Sequence, residues 1–441
     1  MYPKYLKPVF CVLLAALACL TLAHCGRSTP PGAAGEGPSW PRWRGPNGDG
    51  VSTETGWNPK ALEGGPRVSW ETDIGVGFSS VAVQGRRVYA MGGKEDNYVI
   101  WCLNKDNGKP IWQYKHPNDY KAPQATPTVE GDSVYALGKE GILFCLGGAN
   151  GKLRWKKDLV ADCGAVAPFY GFSGSPVIEG DLVLVTANTA GMAINKKTGQ
   201  LVWGSETPPP KIPNRGAYWT TGTGYSTPVI HEADGRRRAL FASWNGVCAV
   251  ALDSGTPQWL HAWGFYTAGQ GGDPVVVAGK VLLTNDASRA GEPAMSVLVD
   301  TSGGQARVAW QSLELWTEFG TPVIVAGYIY SPYSGPTFRG GSIRCLELGT
   351  GRLMWEHSEG SSGGGRAYSL MAADGKLIIL DDLGNLVIAE ANPTAYREIS
   401  SCDVFRGAKK SRKFWTPPVL CGGRIYCRNY SGELTCIDVS R

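Results

Sequence analysis

Along most of this chain, apolar positions come in short alternating runs broken by glycine, a pattern that predicts strands and tight turns rather than long helices. A Ser or Thr, often followed by Pro, opens one run, which turns through Gly into another. Copies start as SVAVQGRRVYA at 80, TPTVEGDSVYA at 126, SPVIEGDLVLV at 175 and TPVIHEADGRRRALFA at 227. Four more follow: DPVVVAGKVLL at 273, TPVIVAGYIYS at 321, SLMAADGKLIIL at 369 and TPPVLCGGRIYC at 416. Later in each unit stands a second marker, a glycine four residues ahead of a tryptophan: GKPIW (108–112), GKLRW (151–155), GQLVW (199–203), GTPQW (255–259) and GRLMW (351–355). The full series is Trp70, Trp112, Trp155, Trp203, Trp259, Trp310 and Trp355, with Tyr396 in the eighth slot, at steps of 41 to 56 residues.

Both markers therefore count to eight, and each unit reads as four short strands. The Ser/Thr-Pro run is the first and the run after its turn the second. A turn at Gly141, Gly191, Gly246, Gly384 or Gly432 leads to the third, and the motif glycine closes a hairpin at positive φ into the Trp strand. Strand alternation puts each Trp on one face with the residue two before it (Val68, Pro110, Leu153, Leu201, Pro257, Val308 or Leu353), an apolar stripe that a neighbouring unit must cover. The expected fold is all-β, an eight-bladed propeller of four-stranded antiparallel blades whose tryptophans dock each blade on the next. The final unit stops at Arg441 without a Trp strand, whereas PRVSW at 66–70 is a Trp strand without predecessors. Joining the two completes the eighth blade and removes an open edge.

Ahead of the repeat, Lys4 and Lys7 precede an apolar run over 9–23, the form of an export signal. Cys25 is the expected lipidation site and Cys19 a weaker second one, so the domain plan is a leader at 1–25, a tether with a Trp/Arg-rich segment at 26–60, and the propeller at 61–441. The formal charge of +5 is too balanced to demand a nucleic-acid partner. Nine cysteines lie beyond the leader. Cys102, Cys145, Cys345 and Cys436 fall where other copies carry Ala193 and Ala249, so they read as small core residues. No C-x-x-C is present and the five histidines are scattered, so no metal site is expected.

LELGTGRLMW (346–355), NKKTGQLVW (195–203) and CLNKDNGKPIW (102–112) resemble the PQQ-like (pyrroloquinoline-quinone) propeller repeat of the quinoprotein alcohol dehydrogenase-like superfamily, and WPRWRGPNGDGVS (40–52) resembles the start of its exported members. The resemblance covers about 400 residues and is specific for fold. It implies one of two functions: a dehydrogenase holding PQQ and Ca²⁺ in the channel, or a non-catalytic scaffold like the lipoprotein subunit of the outer-membrane β-barrel assembly machinery. The vicinal cysteines of such dehydrogenases are absent, and no catalytic residue can be matched. The favoured expectation is therefore an exported monomeric scaffold in the cell envelope. It would have envelope proteins as partners, a lipid anchor at the membrane and no cofactor.

Loops entering each first strand repeatedly carry an aromatic: Phe78, Phe172, Tyr225, Phe319, Tyr368, Phe414 and Trp415, with Trp219 and Trp316 in longer examples and Arg366 and Glu318 nearby. These make a candidate binding rim at one channel mouth, for a peptide or, as a further alternative, a sugar; the plainer reading is that they fill gaps between blade tops. The basic runs 236–238 and 409–413 read as solvated charge, although 409–413, in a long loop, could meet anionic headgroups or an acidic partner, and Asp381-Asp382 reads as turn chemistry.

Overall fold

The computed structural model describes residues 37–440, apart from 119–121, 205–222, 244–245, 263–271, 285–295, 318–319, 335–340, 359–367 and 406–414. Gly37–Arg441 is one compact unit, so the segment drawn as separate at 37–60 packs with the propeller. Eight sheets of four antiparallel strands form the ring, each running from an inner first strand to an outer fourth. Blade 1 comprises Ala82–Gln84, Arg87–Lys94, Asn97–Asn104 and Pro110–Pro117. Blade 8 joins the chain ends: Val419–Leu420, Arg424–Arg428 and Glu433–Asp438 come from the C-terminus, and Val68–Asp73 from the N-terminal side pairs Trp70 with Cys436. Only one short helical turn, Ser302–Gly304, interrupts the strands among the described residues.

The recurring glycine and tryptophan are two halves of one joint. Each motif glycine sits near φ +70°, and at Gly108, Gly151, Gly199 and Gly351 a Cβ would strike the preceding blade's indole. On Gly108 it would lie 2.5 Å from Trp70, on Gly151 2.6 Å from Trp112, and on Gly199 2.8 Å from Trp155. The same indole donates Nε1 to the carbonyl three residues before that glycine: Trp70 to Lys105, Trp112 to Gly148, Trp155 to Lys196, Trp203 to Leu252 and Trp310 to Leu348, at 2.8–3.0 Å. A side chain at the glycine would thus break both the turn and the seat. Trp259 departs from the rule. The turn it faces is the Ser302–Gly304 insertion, its Nε1 is buried without an acceptor, and His231 meets its ring edge-on at 6.4 Å.

Two expectations are corrected. The apolar stripe two residues before each Trp does not form, because every blade carries a β-bulge at that point: Ile437 pairs with Val68 and the adjacent Cys436 with Trp70. The extra residue puts the two side chains on opposite faces. Val68, Leu153, Leu201 and Val308 are accordingly more than 40% exposed. Nor does Tyr396 fill the eighth Trp slot. Across from Ile388, at the slot's register position, stands Ser400, while Tyr396 stacks on His357 at 3.6 Å. The missing indole is replaced from far away in sequence. Ser400 Oγ donates to the Pro59 carbonyl, Asn58 N donates to Val439 O, and Trp57 and Leu62 are buried in the cluster shared by blades 7 and 8.

Candidate interaction site

The first strands of successive blades splay apart around the channel, so a backbone N–H at the start of each has no ladder partner. The Ser/Thr marker supplies one. Ser80 N donates to Thr126 Oγ1 (2.9 Å), Thr126 N to Ser175 Oγ (2.9 Å), Ser175 N to Thr227 Oγ1 (3.1 Å), Thr227 N to Asp273 Oδ1 (2.7 Å), and Asp273 N to Thr321 Oγ1 (3.0 Å). These hydroxyls form a belt that ties blade to blade; they are structural acceptors, not nucleophiles. The one acid in the belt, Asp273, has a second oxygen to spare, and it accepts Trp43 Nε1 at 2.5 Å.

That contact belongs to a strap, residues 38–59, which crosses the channel on the side of the short turns. Trp40 exchanges both backbone hydrogen bonds with Val83, Pro41 O accepts Val129 N, and Val51–Ser52 lies parallel to Ala372 and Ala373 in blade 7. Glu54 takes the Gly422 and Gly423 amides of blade 8. Arg44, fully sequestered, donates to the carbonyls of Gly48, Asp49, Thr321 and Pro322. Burial pulls the Arg44 pKa down and pushes that of Asp273 up, each opposed by the other's charge. A small crevice beside Trp43 and Asp273 is lined by Arg42, Asn47, Thr227 and Ile230.

Calcium and a tricarboxylate quinone do not fit these residues. Both oxygens of Asp273 are engaged by N–H donors, a guanidinium stands beside them, and four donor contacts of Arg44 go to carbonyls, leaving no anion seat.

The opposite mouth is framed by the loops that enter the first strands and by the second-to-third-strand turns. Phe78 lies between Trp415, stacked at 4.9 Å and 7°, and Tyr430, at 4.9 Å and 41°. Tyr225 is half-buried and its Oη accepts Tyr170 N at 3.2 Å; Trp316 is half-buried and its carbonyl accepts Ser334 N. Phe172 and Tyr368 are buried in inter-blade clusters, so they pack blade tops and present no rim surface. Trp219, Glu318, Phe319, Arg366 and Phe414 lie outside the described residues, as do Cys25 and the run 409–413. Sequence reasoning passed over Tyr430 and the exposed pair Phe169–Tyr170, whose rings meet edge-on at 4.9 Å. The cluster PFYGF at 168–172 was the available signal, of which only Phe172 was singled out.

Other singled-out groups have structural roles. Asp381 is buried and accepts the amides of Leu383 and Asn385 in its turn. The run 236–238 begins the second strand of its blade; Arg237 bridges Glu179 and Glu232, and Arg238 is buried on the Ala233 carbonyl. None of the nine described cysteines forms a disulfide. Cys102, Cys145, Cys345 and Cys436 each sit directly across the ladder from a Trp, and burial pushes the Cys102 thiol up to about 12 and the Cys145 thiol up to about 11. They remain protonated and unreactive near neutral pH.

The ring and its Gly–Trp joint define an eight-bladed β-propeller that resembles the PQQ-like propellers. A family model described as outer membrane protein assembly factor BamB matches residues 63–207, and the protein resembles BamB. Outer membrane protein assembly factor BamB of Moranella endobia (strain PCIT) is 26% identical over 307 residues, covering 65% of this chain and 70% of that protein. The BamB of Yersinia pestis is 20% identical over 363 residues, covering 78% and 75%. Among solved structures, BamB from Moraxella catarrhalis aligns with a TM-score of 0.60 at 18% identity, over 84% of this chain and 99% of that one. A europium-containing methanol dehydrogenase aligns with 0.65 at 13% identity, over 88% and 89%. Since scaffold and enzyme superpose comparably, these structural likenesses speak to fold alone.

Proposed function

We propose that the protein is an exported scaffold of the cell envelope that holds other proteins during outer-membrane assembly, in the manner named for its BamB relatives. The observation that carries this reading is the match of residues 63–207, which span blades 1 to 3, to the assembly-factor model, joined by sequence likeness to two assembly factors over 65% and 78% of the chain. The channel supports it: the described polar groups at the strap mouth are engaged in holding the ring and strap together. On this reading the leader exports the chain, Cys25 carries the lipid, no cofactor is used, and the ring faces the periplasm as a monomer. The aromatic-framed mouth is the working surface.

The test is made on the full chain in its own envelope. A tagged copy, cross-linked in situ, is expected to recover components of the barrel-assembly machinery in stoichiometric amount, and deletion is expected to lower the heat-modifiable, folded fraction of outer-membrane barrels. A chromophore retained through gel filtration after adding PQQ and Ca²⁺, with alcohol oxidation, would overturn the proposal in favour of a dehydrogenase.

A further inference from the structure

At the joint between blades 4 and 5 the usual indole seat is missing. Blade 5 carries Ala306, not glycine, four residues ahead of Trp310, and its chain runs instead through the short turn Ser302–Gly304. Other contacts hold this seam. Asp234 Oδ2 accepts the amides of Gly303 and Gly304 at 2.9 and 3.1 Å, and His231 Nε2 meets Thr301 Oγ1 at 2.9 Å. The Thr301 hydroxyl has a single proton, which it donates to the Gly279 carbonyl at 2.7 Å. Nε2 is therefore the donor to Thr301, which fixes a neutral imidazole with its proton on Nε2 and a bare Nδ1. That Nδ1 is buried, without a partner, on a side chain that has no exposed surface.

The surroundings offer no acceptor to a second proton. Directly across the ladder stands Arg238, buried, its own Nε without an acceptor. In the turn that follows, Asp234 has Oδ2 engaged by the two glycine amides. On the fourth strand of blade 4 the Trp259 ring meets the imidazole edge-on, and His261, two residues further along, is the other titratable group on that face. On blade 5 the facing groups are Thr301 and the Gly279 carbonyl, while Asp300 Oδ1 accepts the Ser302 amide. We infer that the seam between blades 4 and 5 is an acid-sensitive latch, closed by neutral His231 on Thr301 and loosened when Nδ1 takes up a proton. An imidazolium there sets an N–H with no acceptor beside the Arg238 cation, in a joint that already holds the unpaired N–H of Trp259. The latch goes beyond the scaffold reading and does not depend on it. Burial pulls the His231 pKa below its ordinary value; the Gly279 carbonyl opposes this, Arg238 adds to it and Asp234 opposes it. The opened seam, with a value near 6.5, thus binds the proton first as pH falls. Its stability is complete above ~6.5 and is lost as pH drops below that. Asp273, whose pKa burial raises, has the opposite sign.

The test is hydrogen exchange on the folded full chain at pH 7.5 and pH 5.5, read peptide by peptide and corrected for the intrinsic pH dependence of exchange. Protection over 296–304, on the blade 5 side of the seam, is expected to fall about tenfold more than over 133–147 in blade 2, the change that one unit of pKa difference gives. His231→Gln, whose amide can donate to Thr301 without titrating, should remove that step, whereas His261→Gln and Asp273→Asn should keep it. Imidazole nitrogen shifts of the wild-type chain supply a reading that needs no variant: a proton on Nε2 at neutral pH and a midpoint for His231 below 6.5. Equal loss of protection in the blade 2 strands, a step that survives His231→Gln, a proton on Nδ1 at neutral pH, or a midpoint at or above 6.5 would each overturn the inference.

Discussion

At the turn face of the ring, the third-to-fourth-strand hairpins close through positive-φ glycines, and Gly108, Gly151, Gly199 and Gly351 double as seats for a neighbour's indole; at the loop face, connections are longer and aromatics stack on one another across blade tops. The first face is specified residue by residue, since one atom too many at Gly151 meets Trp112. The turn face is thus the more tightly specified of the two, the contrast expected between a rigid frame and the loops it carries.

The sharpest way to break this contrast is Trp112→Ala, which empties a buried inter-blade seat and is expected to cost about 4 kcal/mol in denaturant unfolding. Gly151→Ala should cost about 3 kcal/mol, combining strained backbone with overlap on that indole, whereas Gly131→Ala, at φ +56° with nothing within 4 Å, should cost only about 1 kcal/mol. Equal losses at the two glycines would mean the seat plays no part. Asp273→Ser keeps a belt acceptor but orphans Trp43 Nε1, for about 2 kcal/mol. Its signature is tryptic cleavage after Arg42 and Arg44, which the wild-type strap hides. Because burial raises the Asp273 pKa, the native state takes up this proton at a pH where the unfolded chain has already lost it. Its contribution to stability therefore grows as pH falls through the raised value toward the ordinary one near 4, and Asp273→Asn should flatten that slope. At the loop face, Phe78→Ala should cost about 1 kcal/mol. Smallest of all, a thiol reagent on the folded chain should label Cys163, the half-exposed cysteine of the loop, and spare the eight buried ones until unfolding.

The sequence exposed the turn face best because one joint imposes two residue types at fixed spacing. Gly151 and Trp155 recur as a pair since each faces a different neighbour, and blade count, strand count and the closure of Trp70 on Cys436 all follow from that recurrence. Alternation misled where it was applied across Val68 to Trp70, because a bulge adds a residue without any compositional mark. Tyr396 looked like the eighth rivet because it is aromatic and suitably spaced, while the true substitute, the 57–62 segment at Ser400, comes from the opposite end of the chain. Asp273 was visible as a departure from Ser/Thr, yet its meaning depends on Trp43, 230 residues away. At the loop face, Phe172 and Phe169 are three residues apart in one aromatic cluster and only geometry tells the buried ring from the presented one.

The strap also sets an order of events. Its docking sites are scattered from Val83 to Gly423, so the strap is not fully seated until nearly the last residue has arrived. Glu54 waits for amides 368 and 369 positions downstream. Such long-range pairing is slow to form, and until Asp273 is in place the Trp43 indole lacks its acceptor.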